Sequence, residues 1–417
     1  MVETPWFLVR HGSVSPSRRW FFGVPGAPCC VGLFSHLSTT MSTDERARAW
    51  VDVSASALRE NFRTVRKAVG DDVRMIPMVK ADAYGLGMAE AISALEPLSP
   101  WGYGIAAVEE GVRIRRMGLP GPILVCSAVP PASYRDAVEA RLTVSISDLG
   151  GLANLREASI EAGAPGRFHL EVDTGMGRAG FDWNGVGDWA PGVEALLGPE
   201  LIWEGCFTHF HSADGADGSP TATQWQRLLA TVEKLQSKPN GLLIHACNSP
   251  GALRRPDFAG DAVRPGIFLY GGIAGDGLPS PAPVASLRAR IVYLKEAHPG
   301  TTVGYGSTYA ATGAERWASV SIGYGDGLPR LLSNRGEALV RGRRAPIIGR
   351  ISMDVTVLNV TGFQEVKVGD VVTFFGQADG GEISLEEVAG HAGTINYEIL
   401  TGLTQRLPRI WTDDGGY

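Results

Sequence analysis

The apolar run MIPMV (75–79) ends in a charge, because the stretch VKADAYGLG (79–87) places Lys80, Asp82, Tyr84 and two glycines directly at its end. An ammonium at the end of a buried strand is costly unless paired or neutralised. Lys80 is therefore either a strand end reaching solvent or a residue with a chemical task. Other short apolar runs lead to reactive side chains in the same way. FHLEVD runs into DTGMGR with Arg178, GCFTHF carries His209, LLIHAC is followed by Asn248 and Ser249, and AVRPGIFLYG carries Arg264, Gly266 and Ile267. Ser249 offers a hydroxyl, and a glycine such as Gly266 lets backbone N–H groups approach an anion. A phosphate, a lysine and an arginine at one end of the fold together suggest pyridoxal 5'-phosphate, which needs a lysine for a Schiff base, a phosphate cup and a group facing the pyridine nitrogen.

Those residues need elements to position them. At 417 residues the chain is long for one ordinary domain and predicts two, with an additional tail. Leu58, Phe62, Val65 and Val69 recur at helical spacing, and Gly70 closes that helix. Strand-like runs then alternate with helical patterns: MIPMV (75–79), GYGIAA (102–107), PILVCSA (122–128), LTVSIS (142–147), FHLEVD (168–173), GCFTHF (205–210), LLIHAC (242–247) and AVRPGIFLYG (262–271). Eight strands separated by helices predict an α/β fold, a (β/α)8 TIM-type barrel. A doubly wound open sheet competes, and strand count alone does not separate the two. In a barrel, chemistry belongs at the C-terminal strand ends, with phosphate on the loops after strands 7 and 8. After about Ala285 the pattern becomes RARIVYL, WASVSIGY, ALVRGR, DVTVLNV and DVVTFFG, a mostly β domain with helix only near 385–392. The expected division is an extension over 1–48, the barrel over 49–284 and the β-rich domain over 285–417.

Composition narrows the function classes. The chain is 44% hydrophobic and 20% charged, which is globular. Its net charge of -6 argues against nucleic acid or an anionic membrane as the main partner, and no apolar run is long enough for a membrane span. Five scattered cysteines without a C-x-x-C pair fit a reducing compartment and no metal site. Within the extension, SRRWFF has a loose likeness to a twin-arginine export signal, but Pro25, Gly26 and Pro28 interrupt the apolar part behind it. Met41 opens MSTDERARAW like an ordinary N-terminus, so 1–48 reads as a mis-called start or a disordered tail. GMGRAG (175–180) matches G-x-G-x-x-G after a strand, yet turn residues rather than a helix follow it, so a dinucleotide site is not expected.

VKADAYGLG closely resembles the cofactor-lysine motif of the alanine racemases, barrel-type pyridoxal-phosphate enzymes. The resemblance runs from about Trp50 to Arg409 through DTGMGR, THFHSAD, HACNS, AVRPGIFLYG, GYGSTY, SIGYGDG, GRISMD and INYE, in that order. It implies that Lys80 forms the Schiff base and acts as base on the D face of the substrate. Tyr305 would be the base on the L face, supplied by the second domain of a partner subunit in a homodimer. Tyr84, Asn248, Ser249, Gly266, Ile267 and Tyr397 would hold the cofactor, chiefly its phosphate. Arg264 would bond the pyridine nitrogen, and His209 would bridge Arg264 and Tyr305. Arg178 and Met353 would bind the substrate carboxylate, and Tyr324 would line the substrate pocket.

The chemistry of that set is coherent. Two bases on opposite faces suffice to invert a carbon centre. A phenol is a weak base source near neutrality, and the pair Arg264–His209 would favour its anion. Taken singly, His209 reads as a core histidine and the tyrosines as packing aromatics; the joint pattern carries the function. At Glu171 the family often has a lysine that becomes carbamylated, so Glu171 is expected to supply that anion toward Arg178 directly. Leu86 stands where histidine is common and is expected to tune the site only locally. Barrel-type amino-acid decarboxylases usually use a cysteine in the β domain, and every cysteine here precedes residue 250. A non-catalytic pyridoxal-phosphate carrier has the barrel alone. A broad-specificity or serine racemase is the serious alternative to alanine; Tyr324, Tyr397 and Met353 would crowd a pocket fitted to a methyl group. D-alanine for a bacterial cell wall implies a cytoplasmic enzyme.

Overall fold

The computed structural model describes residues 47–413; residues 1–46, all but the last two of the expected 1–48 extension, and the last four residues lie outside the described residues, and with them the export-signal, mis-called-start and disordered-tail readings. Eight parallel strands form one curled sheet in the order Arg74–Met75, Ala262–Val263, Leu243–His245, Leu201–Phe207, Gly166–Asp173, Thr143–Ile146, Ile123–Ala128 and Tyr103–Ile105. The first and last strands meet: Met78 bridges Gly104 in parallel, Val79 N donates to Gly104 O (2.8 Å) and Gly104 N to Pro77 O (2.9 Å). The sheet is therefore a closed barrel, and the open-sheet alternative falls away. Each of the eight apolar runs supplies a strand, because strands wrapped by helices are buried on both faces and read as continuous apolar stretches. The eighth run divides. Only Ala262–Val263 is strand, and Ile267–Tyr270 winds into a short 3₁₀ turn beyond Gly266.

The helix Ala55–Val69 shows how sequence sets the wall. Ser54 caps it through a hydrogen bond from Ala57 N (3.2 Å), Gly70 ends it at φ 91°, and Leu58, Phe62 and Val65 face the core. The second sheet runs Arg343–Pro346, Glu337–Val340, Val371–Ala378, Ala285–Ala297, Ala49–Ser54, Arg409–Thr412, with Glu315–Val320 paired to the long Ala285–Ala297 strand and Thr356–Asn359 paired in turn to Glu315–Val320. Residues 49–54, expected with the barrel, pair antiparallel with Ala285–Ala297 and parallel with Arg409–Thr412, so this strand belongs to the second sheet. Its apolar residues Ala49, Val51 and Val53 are buried there. The expected helix near 385–392 is Leu385–Ala392; a further short helix, Asn396–Thr401, escaped the sequence reading and carries Tyr397. No helix among the described residues is long and apolar enough to cross a membrane.

Candidate active site

At the C-terminal mouth of the barrel a pocket of about 100 Å³ is lined by Lys80, Tyr84, Arg178, His209, Asn248, Ser249, Arg264, Gly266, Ile267 and Tyr397. Ten of the residues expected from sequence thus converge. Met78, Cys126 and Phe207 complete the lining.

Lys80 opens a single left-handed turn. Ala81, Asp82, Ala83 and Tyr84 have φ between 53° and 56°, and Gly85 follows at 85°. For non-glycine residues this conformation is unfavourable by about 1–2 kcal/mol each, so neighbours must impose it. Glu110 Oε1 accepts from Ala81 N (2.6 Å), while Glu110 Oε2 takes Ala106 N and Ala107 N. Ala83 N donates to Val79 O (2.9 Å), Gly85 N to Ala81 O (2.8 Å) and Met88 N to Asp82 Oδ1 (3.2 Å). Leu400 O, in the helix carrying Tyr397, sits where a Cβ on residue 85 would point, so only glycine lets that helix close on the turn. Leu86, wholly buried, keeps its side chain in the core while its carbonyl accepts from Trp411 Nε1 (3.0 Å). Burial, with the charges of Arg178 and Arg264 added, lowers the Lys80 pKa against a smaller opposing influence of Cys126 and Glu110. A larger share of Lys80 is then the neutral amine that attacks a carbonyl.

In the same pocket, Ser249 Oγ accepts from Gly266 N (2.8 Å) and Phe268 N (3.4 Å), which draws the two loops together. A Cβ on residue 266 would run into the Tyr84 hydroxyl, so the glycine is what lets phenol and backbone approach. Tyr84 stacks on Tyr270 (centroids 4.8 Å) and leans on Tyr397 (6.1 Å), and Tyr270 Oη donates to Met78 O (2.8 Å). Burial pushes the Tyr397 phenol up to about 12 and the Tyr84 phenol higher still, so both remain neutral donors. Hydroxyls, backbone N–H groups, an amine and two guanidiniums line one pocket, and this donor set fits pyridoxal phosphate.

Arg264 is almost fully buried and thoroughly anchored. Its Nη2 donates to Thr208 O (2.8 Å), Ala246 O (3.1 Å) and His209 Nδ1 (3.4 Å), and its Nη1 donates to His245 Nδ1. Because a guanidinium only donates, His245 Nδ1 must accept and its Nε2–H donates to His169 Nδ1 (2.8 Å). The proton of His169 is then on Nε2, which has no partner. Burial, reinforced by the Arg264 charge, holds His169 and His209 down at about 3 and His245 well below its usual value, so all three stay neutral beside the cation. The same logic leaves Nε2–H of His209 as a donor.

His169 and His245 were missed by sequence reasoning although both lie in strand runs quoted for the fold. Cys126 was missed too, at the C-terminal end of Ile123–Ala128; burial raises its thiol. Strand-end position was the signal that would have found Cys126. Glu171 is buried and takes a hydrogen bond from Ser147 Oγ (2.8 Å); burial raises its carboxyl, while Ser147 and the charges of Arg178 and Arg264 oppose the rise. No ion pair joins Glu171 to Arg178 among the described residues; the Arg178 charge reaches Glu171 only as one of the influences opposing the rise of its carboxyl.

Three expected residues stand apart from the pocket. Tyr305 sits in a turn between Thr302–Val303 and Tyr309–Ala310 and is 71% exposed; Tyr324 is 42% and Met353 52% exposed. None lines the pocket of its own chain.

Comparison with known proteins agrees with this architecture. The family description "Alanine racemase, N-terminal domain" matches residues 53–274, and "Alanine racemase, C-terminal domain" matches 284–411. An alanine racemase of Halothermothrix orenii is 37% identical over 371 residues, 88% of this chain and 97% of that one. Alanine racemase 2 of Bacillus subtilis is 34% identical, covering 88% and 95%. Among solved structures, alanine racemase of Clostridium difficile superposes with a TM-score of 0.83 at 30% identity over 88% of this chain and 96% of that one. The Streptomyces coelicolor alanine racemase gives 0.81 at 34% identity, covering 89% and 100%. The chain belongs to the alanine racemase family.

Proposed function

We propose that this chain is an alanine racemase that interconverts L- and D-alanine on pyridoxal 5'-phosphate held by Lys80. The observation carrying the reading is the pocket itself: a lysine with a lowered pKa, two guanidiniums and a hydroxyl-and-amide cup in one barrel mouth. Tyr84, Ser249, Tyr397, Asn248 and the backbone at Gly266 and Ile267 would hold the phosphate, and Arg264 would face the ring nitrogen. When bound, the cofactor supplies an electron-withdrawing conjugated system that acidifies the α C–H of an amino acid joined to it. Lys80 Nζ then takes or returns the proton on one face and the Tyr305 phenolic oxygen on the other. His209, with its Nδ1 held by Arg264, offers Nε2–H to stabilise the phenolate. Arg264 retains its own protons and so does not protonate the nitrogen it faces, which disfavours side reactions that need prolonged delocalisation of charge. Arg178, with Met353, would bind the substrate carboxylate, and Tyr324 would wall the side-chain pocket.

The exposure of Tyr305, Tyr324 and Met353 supports a homodimer in which each β-rich domain completes the other chain's pocket. Isologous two-fold contact places two such sites in one dimer. The enzyme would act in the cytoplasm, supplying D-alanine for peptidoglycan. The test is α-proton exchange in deuterated water, followed by NMR on a panel of L-amino acids with the cofactor added. Exchange confined mainly to alanine, with D-alanine rising to equality, is the expected result. Exchange spread over serine, lysine or arginine identifies a broad-specificity racemase, and no exchange despite bound cofactor identifies a non-catalytic carrier.

A further inference from the structure

The turn bearing Tyr324 and the loop bearing Met353 are built against each other. Tyr324 N donates to Ser352 O (3.1 Å) and Gly325 N to Met353 O (2.9 Å). A Cβ on residue 323 would strike the Ser352 and Met353 backbone, and one on residue 325 would strike the Arg406 guanidinium, so the glycines flanking Tyr324 permit this approach. Both aromatic ring and thioether point to solvent in the single chain, which means their own packing does not hold them. The main chain beneath them is held instead by one wholly buried carboxylate, Asp326.

Asp326 Oδ2 accepts from Arg48 Nη1 (3.0 Å) and Gly323 N (3.1 Å), and Oδ1 accepts from Arg48 Nη2 (2.5 Å). Arg406 Nε stands 3.4 Å from Oδ1, and Arg406 Nη2 donates to Asp354 Oδ1 (2.7 Å), beside Met353. Arg48 Nη1 also reaches Ser321 O (2.9 Å), and Thr404 closes the far side through its N–H on Asp326 O and its hydroxyl on Gly325 O (both 3.1 Å). Burial alone would raise this carboxyl, but the Arg48 hydrogen bond, the Gly323 N–H and both guanidinium charges outweigh it and hold it below the usual range. A bidentate arginine fork fixes direction as well as charge. The anion thus joins the segment entering the second sheet, the turn at 323–327 and the loop at 404–406, and Arg406 extends the tie to the Met353 loop.

We propose that Asp326 is a positioning residue for substrate binding: through Arg48 and Arg406 it presets Tyr324 and Met353 on the surface of one chain for the pocket of its partner. The proposal rests on the shared-site reading above. Its test uses the full-length holoenzyme with Asp326→Asn, together with Arg406→Gln, which spares the Arg48 fork should the first variant fold poorly. The expected result is a KM for alanine raised about tenfold in Asp326→Asn, less in Arg406→Gln, with kcat changed far less and cofactor absorbance retained. Asp326→Glu is expected to recover part of the loss. A hybrid dimer of Asp326→Asn with Lys80→Ala retains one site in which the wild-type Asp326 chain serves the wild-type Lys80 chain, and that site is expected to show the normal KM. An unchanged KM in both folded variants overturns the clamp. A raised KM that the hybrid does not restore overturns the delivery to the partner, and with it the shared-site reading, while leaving the effect of Asp326 on its own chain.

Discussion

Lys80, Arg264 and their neighbours form a charge system in which three cationic groups share a small pocket, and the three histidines around Arg264 stay neutral because burial and that charge both oppose a further proton. Removing Lys80 as alanine is expected to lower turnover by at least about 10³-fold, since on the proposed roles both Schiff-base formation and one proton transfer would be lost; steady-state rates and the cofactor absorbance check this together. His245→Ala would strip Arg264 Nη1 of its acceptor and His169 Nδ1 of its donor in the buried barrel interior. A destabilisation of about 1–3 kcal/mol is expected from such orphaned groups, read from denaturant unfolding. Legibility at this scale followed type and spacing. Lys80, Arg264 and Ser249 stand in motifs where charge or hydroxyl interrupts apolar sequence. His169 and His245 sit inside strands, where a histidine looks like packing, and their roles arise only from which barrel neighbours they meet.

The left-handed turn at 81–84 is the element the sequence concealed. Its residues are alanine, aspartate and tyrosine rather than glycine, so nothing local announces positive φ; Glu110 and the helix Asn396–Thr401, distant in sequence, impose it. Barrel strands were legible because burial on both faces leaves continuous apolar runs. The strand Ala49–Ser54 was not read as a strand and fell within the expected barrel stretch, because local pattern does not tell which sheet an edge completes. The proposed phosphate cup gives an element-scale prediction. Gly266→Ala would drive a Cβ into the Tyr84 hydroxyl, and cofactor affinity is expected to fall about tenfold or more. Adding Tyr84→Phe removes the nearest atom but leaves the ring carbon 2.8 Å from that Cβ and takes away a proposed phosphate donor, so the double variant is expected to recover little of the lost affinity, as measured by absorbance titration.

At the scale of the molecule, the neutral buried histidines link stability to pH. His169 and His245 ordinarily titrate near 6.5 when unfolded but far lower when folded. Below about 6.5 the unfolded chain therefore binds protons that the folded chain refuses, and folding stability is expected to fall as pH drops from there toward about 3. Urea midpoints of the cofactor-free protein across that window check it, and the slope should lessen in His169→Gln. The proposed division of labour between subunits would be the other whole-molecule property. Only the resemblance points to it, because Tyr305 gives no sign in its own chain of which pocket it would serve.

The measurement that tests the central claim most directly is complementation between two damaged chains, Lys80→Ala and Tyr305→Phe, co-expressed with different tags and purified as the hybrid. If each pocket draws its lysine from one chain and its tyrosine from the other, the hybrid holds one intact site and one doubly damaged site. Activity of about half the wild-type dimer is then expected, well above either parent. A hybrid no more active than its parents would mean that Lys80 and Tyr305 do not meet across the dimer, and the two-base account would fail.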